Sequence, residues 1–594
     1  MKLRNLSRWT LTEETASLLF FAQRIDELLF DLSLDTYKPP ALNSPSLCLE
    51  AISLIKEIEK GTIEASNLQH VIEELVWSLQ NDPIAKSLLD SEISYYTLHN
   101  DQTPISATKL RLEILSRTLN SARYIESTCE MLFDAITSNK KKSIDLHATA
   151  LITSLVNNGV NKQWLHEQTH VFFFAPNGEK ISSNDALAKF ISIINQDTHH
   201  FCVYAAVSNL ILQTKTSLGS FKISIVDLQD QNIKLNAELK QMLLETPAQA
   251  NEVLVKIDGI ECRDPYTARS VAFRRLDLLS DLLALFHHRK QITWSSSAVI
   301  EWACCAFAPA RCDELRNPME KAFDFREDRA AKELNQMIRN LALRQNPASF
   351  QRFNRVADLH GTCISQNISE NQLVNLWTAI ETLIPSHVDS GSKIKQVINA
   401  AIPFIGITYI KRIIDRLLFD LLMWDKWRTR RILNKINVEK GTPLIVRLSI
   451  FLFDPAAQDL RDQLYAKLGD FHLLRYRIFC ISTELSNPIN VKSRLDRHEK
   501  KVKWQMRRLY RARNLIVHTS QTPSYVGTLI ENGHDYLDSI MFGVIKSSCS
   551  DYKISTIEQS FELTSVLYRK LISEISSCES FGEDRARILV SDPY

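Results

Sequence analysis

Arg507-Arg508-Leu509-Tyr510-Arg511-Ala512-Arg513-Asn514-Leu515-Ile516-Val517-His518-Thr519-Ser520 reads as the last turns of an amphipathic helix that also carries a polar trio. At about 100° per residue, Val502, Met506, Leu509, Arg513 and Ile516 share one stripe, with Arg513 at its centre. Lys500, Arg507, Arg511, Asn514 and His518 fall on the other side. An arginine on an apolar stripe points toward a core, where a charge needs a partner. Just upstream the helix is basic. From Lys492 to Arg513 there are ten Lys/Arg against Asp496 and Glu499, in a chain whose net charge is only +2. A face of this kind suits a polyanion, although a solvated helix face is the commoner meaning of a charge run.

About 130 residues earlier stands Leu376-Trp377-Thr378-Ala379-Ile380-Glu381-Thr382-Leu383-Ile384, followed by Lys393-Ile394-Lys395-Gln396. The order R-N-x-x-x-H at 513–518 resembles the signature of HEPN ribonucleases, and the W-x-A-x-E-x-L stretch looks like the helix that opens the Apea-like HEPN domain. The resemblance covers roughly the last 240 residues. It implies an all-helical domain that cuts RNA without a metal or other cofactor. Arg513, Asn514 and His518 would be catalytic, and HEPN domains commonly dimerise so that two motif helices face one cleft. Proteins of this class are often toxins or anti-phage effectors that stop translation, frequently by cutting tRNA.

The residue chemistry fits that reading. RNA cleavage needs a base for the 2′-hydroxyl proton and an acid for the leaving 5′-oxygen, and histidine titrates near neutrality. A planar guanidinium matches the oxygens of the pentacoordinate phosphate. Glu381, at the edge of a stripe formed by Leu373, Trp377, Ile380 and Ile384, is the expected partner of Arg513. Either Arg513 contacts phosphate, or it only braces the fold and Arg511 makes the contact. Lys500, Lys503, Arg507 and Arg508 are the expected RNA contacts.

Composition sets wider bounds. Length 594, 45% hydrophobic and 24% charged residues describe an ordinary globular chain, and 14 Gly with 18 Pro favour long helices. Eleven cysteines without CxxC spacing, no signal-like leader and no apolar run of about 20 residues predict reduced thiols, no membrane span and a cytoplasmic location. The expected class is mainly α, with a small mixed portion in the first half. Expected domains are 1–245, helical with a few strands and regulatory; 246–350, a middle helical segment with a short strand; and 351–590, the HEPN nuclease.

Within the first segment, Ala51–Lys60 and Leu68–Leu79 are amphipathic, and Val171-Phe172-Phe173-Phe174, Phe201–Val207 and Phe221–Val226 read as strands. His166-Glu167-Gln168-Thr169-His170 matches the zincin pattern, but that chemistry needs a continuing helix and a third ligand. His199-His200 are the only further offer, and Cys304-Cys305 read as core. Val253–Ile257 reads as a strand, Asp264-Pro265 opens a helix to Leu285, and His287-His288-Arg289-Lys290 closes it. Arg311–Arg329 is a charged boundary. Trp424-Asp425-Lys426-Trp427-Arg428-Thr429-Arg430-Arg431 either clamps single-stranded RNA or packs two tryptophans. The last fifteen residues read as loose.

The expectation is therefore a metal-independent endoribonuclease of the toxin or anti-phage class, a homodimer that acts on RNA such as tRNA and answers a phage-derived trigger sensed by the first 350 residues. Its rivals are a HEPN-fold binding protein without catalysis and a zinc hydrolase built on His166 and His170.

Overall fold

Few glycines and prolines interrupt the Leu- and Ile-rich periodicity, and of the described residues 68% are helix and 6% strand. The structure is a computed structural model that describes all residues except 31–37, 62, 98–103, 196, 229–235, 246–250, 321–323, 386–391 and 578–582. The chain forms two compact units, 1–154 with 176–184 and 317–594, and 155–175 with 185–316. These differ from the three consecutive domains expected, because apolar faces near the start of the chain are completed by helices near its end. The charged stretch 311–329 does contain a boundary, at Arg316/Asn317.

In the larger unit, helices Ser44–Glu59 and Ser66–Asn81 share one apolar core with Pro347–Ser365, Ser369–Leu383, Lys393–Ile407, Pro488–Thr519, Val526–Cys549 and Ile557–Ser576. Leu47, Val71 and Leu75 thus join Leu376, Trp377, Met506, Leu509 and Leu537 in a single buried cluster. Local chemistry starts and stops these helices. Asn487 caps the 32-residue helix Pro488–Thr519, its side chain accepting from Ile489 N at 2.8 Å with Pro488 in the first turn. Ser520, at φ +54°, ends it in the left-handed conformation. At Gly543 an added Cβ would lie 2.3 Å from the Phe404 ring, so only glycine lets these helices approach so closely. The final residues are tied rather than loose. Tyr594 Oη is 2.9 Å from Thr564 Oγ1, and Lys546 pairs with Asp592 at 2.6 Å.

The smaller unit holds an antiparallel sheet of β1 (His199–Ser208), β2 (Ile223–Ile225), β3 (Glu252–Cys262), β4 (Ala298–Trp302) and β5 (Ala310–Cys312), in the order β2-β3-β1-β4-β5. Asp264 caps helix Pro265–Ala284, accepting from Thr267 N at 2.8 Å, and the helix packs on β3, β1 and β4. His287–Lys290 lie beyond its end rather than inside its last turn. The segment Val171–Phe173 is not a strand. It continues helix Lys162–Phe173, because Phe173 packs its ring against Phe190 at 4.7 Å on the apolar side of that helix. Among the described residues no single helix is long and apolar enough to cross a membrane.

Candidate functional site

The helix Pro488–Thr519 carries the site. Its stripe of Val502, Met506 and Leu509 is buried as expected, and the two stretches that carry the family resemblance meet there. Trp377, 1% exposed, lies 5.5 Å from Tyr510 ring to ring. Arg513 is half-buried on the same helix, its Nη1 donating to Asn514 Oδ1 at 3.0 Å, while its buried Nε has no hydrogen-bond partner. His518 is exposed in the last turn, four positions and one turn beyond Asn514. The trio is therefore a joined Arg513–Asn514 pair beside a solvent-facing imidazole.

The expected Arg513–Glu381 pair is not formed. Glu381 instead lies 3.3 Å from Lys393 Nζ, the first residue of the next helix, which brings a closer cation to the carboxylate. Arg513 is left with its neighbour Asn514.

Part of the basic face, at Arg508 and Arg511, is an internal interface, while Lys492, Arg497 and Lys501 farther up the helix are exposed. Arg508, 1% exposed, reaches Glu74 at 2.6 Å and Glu50 at 3.1 Å, and Arg511 reaches Glu50 at 2.8 Å. The cause is helices Ser44–Glu59 and Ser66–Asn81, which lay their acidic side chains on this face. Burial pushes the Glu50 carboxyl up, but Arg508 and Arg511 more than offset it and hold it at about 2. Glu74 is raised instead, by burial and by the charge of Glu50 across the shared guanidinium. Farther along, Lys500 pairs with Glu73 at 3.3 Å and lies over the Trp504 ring, and Trp504 packs against Trp77. Lys503 pairs with Glu499 within the helix, and Arg507 is half-buried beside Arg511 and Glu73. Of the expected RNA contacts, Arg508 is therefore enclosed and Arg507 half-buried, whereas Lys500 and Lys503 make surface ion pairs with over 40% of their side chains exposed. Sequence reasoning missed Glu50 and Glu74, because nothing in a distant acidic residue announces which cation it will meet.

A different surface is open. The helix Tyr409–Leu433 breaks its helical geometry at Asp425, whose side chain accepts from Arg428 N at 2.8 Å. Beyond that break Lys426, Trp427, Arg428, Arg430 and Arg431 are all exposed, Trp427 by 75%. The two tryptophans do not both pack inward, so the alternative of a purely internal role does not hold for Trp427.

The histidine motif at 166–170 does lie on one continuous helix, which the strand reading had excluded. Glu167, the residue a zincin uses as base, accepts the Tyr266 hydroxyl at 2.7 Å, and no third ligand joins His166 and His170 among the described residues. His199 instead gathers with Cys304 and Cys305, its Nδ1 3.4 and 3.9 Å from the two sulfurs. The cysteines are not core: Cys304 is exposed, because β4 ends at Trp302 and the chain turns outward.

Compared with protein-family models, with curated proteins and with solved structures, the chain matches none.

Proposed function

We propose that this chain is a metal-independent endoribonuclease of the HEPN type. The observation that carries the reading is the trio itself: an exposed His518 at the end of a helix whose preceding turn holds Arg513 joined to Asn514. In this reading His518 moves a proton to or from the ribose and the leaving oxygen. Arg513, whose buried Nε has no protein partner, stabilises charge on the phosphate. The exposed Trp427 surface is a second contact for the RNA, with Trp427 stacking on bases and its neighbouring cations on phosphates. Two copies supply the cleft, since Arg513 and His518 diverge by about 140° on an ideal helix. The activity is that of a cytoplasmic toxin or anti-phage effector acting on tRNA or another RNA. A phage-derived trigger would act through the N-terminal helices that cover the motif helix.

A second reading, a HEPN-like binding protein without catalysis, is favoured by one observation: Arg508 and Arg511 are consumed in ion pairs. Sequencing of RNA ends after induced expression separates the two. Cleavage at defined sites by the wild type and not by His518→Ala supports the nuclease; unchanged RNA with both proteins supports the binding role.

A further inference from the structure

We propose that His360, His534 and Asp538 form a binding site for a divalent first-row transition metal, with Zn²⁺ the ion of choice. The site is independent of the nuclease reading, since none of the three belongs to the 513–518 trio.

Two helices build it. His534 and Asp538 stand one turn apart on helix Val526–Cys549, so their side chains share a face. His360 comes from helix Pro347–Ser365 and meets them with its ring at 42° to that of His534. The two Nε2 atoms are 3.0 Å apart. Asp538 Oδ1 lies 3.4 Å from Nε2 of His360, and Oδ2 lies 3.6 Å from Nε2 of His534.

These distances decide between two accounts. As hydrogen bonds, the carboxylate contacts are too long, because N–H···O bonds cluster at about 2.7–3.2 Å. As the edges of a coordination shell they fit. With bonds of about 2.0–2.1 Å to nitrogen and oxygen, ligand atoms around a tetrahedral ion stand about 3.3–3.4 Å apart. Each ring nitrogen has a different oxygen of Asp538 near that edge length, Oδ1 at 3.4 Å from His360 and Oδ2 at 3.6 Å from His534, with the two nitrogens 3.0 Å apart, and one ligand atom from each of the three residues lies within 4.8 Å of the others. An N–H···N bond between the two imidazoles would account for the first distance but gives no reason for the carboxylate to face both rings.

The ligand set points to the ion. Two neutral imidazoles and one carboxylate suit zinc and its first-row neighbours better than calcium or magnesium, which prefer oxygen. Burial is graded: the side chains of His534 and Asp538 are 6% and 13% exposed, and that of His360 is 22% exposed. The partly exposed His360 side is where an ion would enter and where solvent would supply a fourth ligand. Such an ion would clamp the Pro347–Ser365 helix to the Val526–Cys549 helix within the core that also holds Leu509.

The test uses the full chain carrying Cys304→Ser and Cys305→Ser, which removes the thiol grouping at His199. After dialysis against chelator, the protein is titrated calorimetrically with Zn²⁺ alone, and in parallel with Co²⁺ to record the visible spectrum. One Zn²⁺ per chain is expected, together with Co²⁺ d–d bands and no thiolate charge-transfer band. His360→Gln, at the more exposed ligand, should weaken binding by about 100-fold or more, beyond the 10–100-fold typical of outer-shell partners. Asp538→Asn should do the same, and serves if His360→Gln fails to fold by circular dichroism. Absence of stoichiometric binding, or equal affinity in a folded His360→Gln or Asp538→Asn variant, overturns the site.

Discussion

Arg508 and Glu50, 458 positions apart in the chain, meet at 3.1 Å with the guanidinium 1% and the carboxylate 10% exposed. Glu50 also holds Arg511, so one carboxylate anchors two cations of the motif helix. Removing one partner of a buried pair leaves an uncompensated charge and costs about 3–5 kcal/mol. Glu50→Ala should destabilise the chain by that order in urea denaturation. A double-mutant cycle with Arg508→Ala should show non-additive losses; strictly additive losses would mean that the pair contributes nothing.

His518 makes the opposite case. Its side chain is exposed at a helix end, where substitutions usually shift stability by no more than about 0.5 kcal/mol. His518→Ala should leave the urea midpoint unchanged and eliminate RNA cleavage and any growth arrest. Undiminished toxicity at normal protein level would refute its catalytic role.

Trp427 is predicted to matter for binding and not for folding. Base stacking on an aromatic ring contributes about 1–3 kcal/mol per base. Trp427→Ala should weaken single-stranded RNA binding by that order in a fluorescence anisotropy titration, and Arg430→Ala with Arg431→Ala should flatten its salt dependence. Unaltered affinity in both variants would place the RNA elsewhere.

Acid should destabilise the protein in part through His498. This ring stacks on Tyr409 at 3.6 Å and is buried, with no hydrogen-bond partner for Nε2. Burial, reinforced by Arg412 and Lys501, pushes its pKa from the usual 6.5 down to about 3. The unfolded chain then binds the proton more tightly than the folded one. The stabilising contribution is complete above pH 6.5 and shrinks as pH falls toward 3. By pH 5 the loss is about 2 kcal/mol. His498→Phe keeps the stacking, so the difference between wild-type and variant stability should change by that amount between pH 7 and pH 5. A constant difference would contradict the assignment.

Self-association is the remaining expectation of the nuclease reading. Light scattering at assay concentration should give twice the chain mass of 68.1 kDa, and a fully active monomer would count against a shared cleft.

How much of this could be read in advance follows from range. The buried stripe of the motif helix and the sheet strands β1 and β3 obey local periodicity, so spacing alone located them. The cap at Asp264 was equally local. Val171–Phe174 misled because a run of aromatics satisfies a strand and a buried helix face alike. The Arg513 partner was misjudged for a different reason: Glu381 had a nearer cation in Lys393 at the start of the following helix. The covered part of the basic face lay wholly outside local reading, since acidic residues at 50 and 74 are assigned to cations near 510 only by tertiary packing. Convergence of His360 with His534 was hidden for the same reason.

The shared core has a consequence for biosynthesis. Leu47, Val71 and Leu75 are buried against a cluster completed by Met506, Leu509 and Leu537. At about 5–20 residues per second, the ribosome takes roughly 20–90 s to make the 458 residues that separate Glu50 from Arg508. Throughout that interval Glu50 and Glu74 lack the guanidinium groups they meet in the finished fold, and the shared core lacks Met506, Leu509 and Leu537. Nascent chains should therefore depend on chaperones for this half of the core, and fragments that stop short of residue 500 should aggregate even though their local helices are sound.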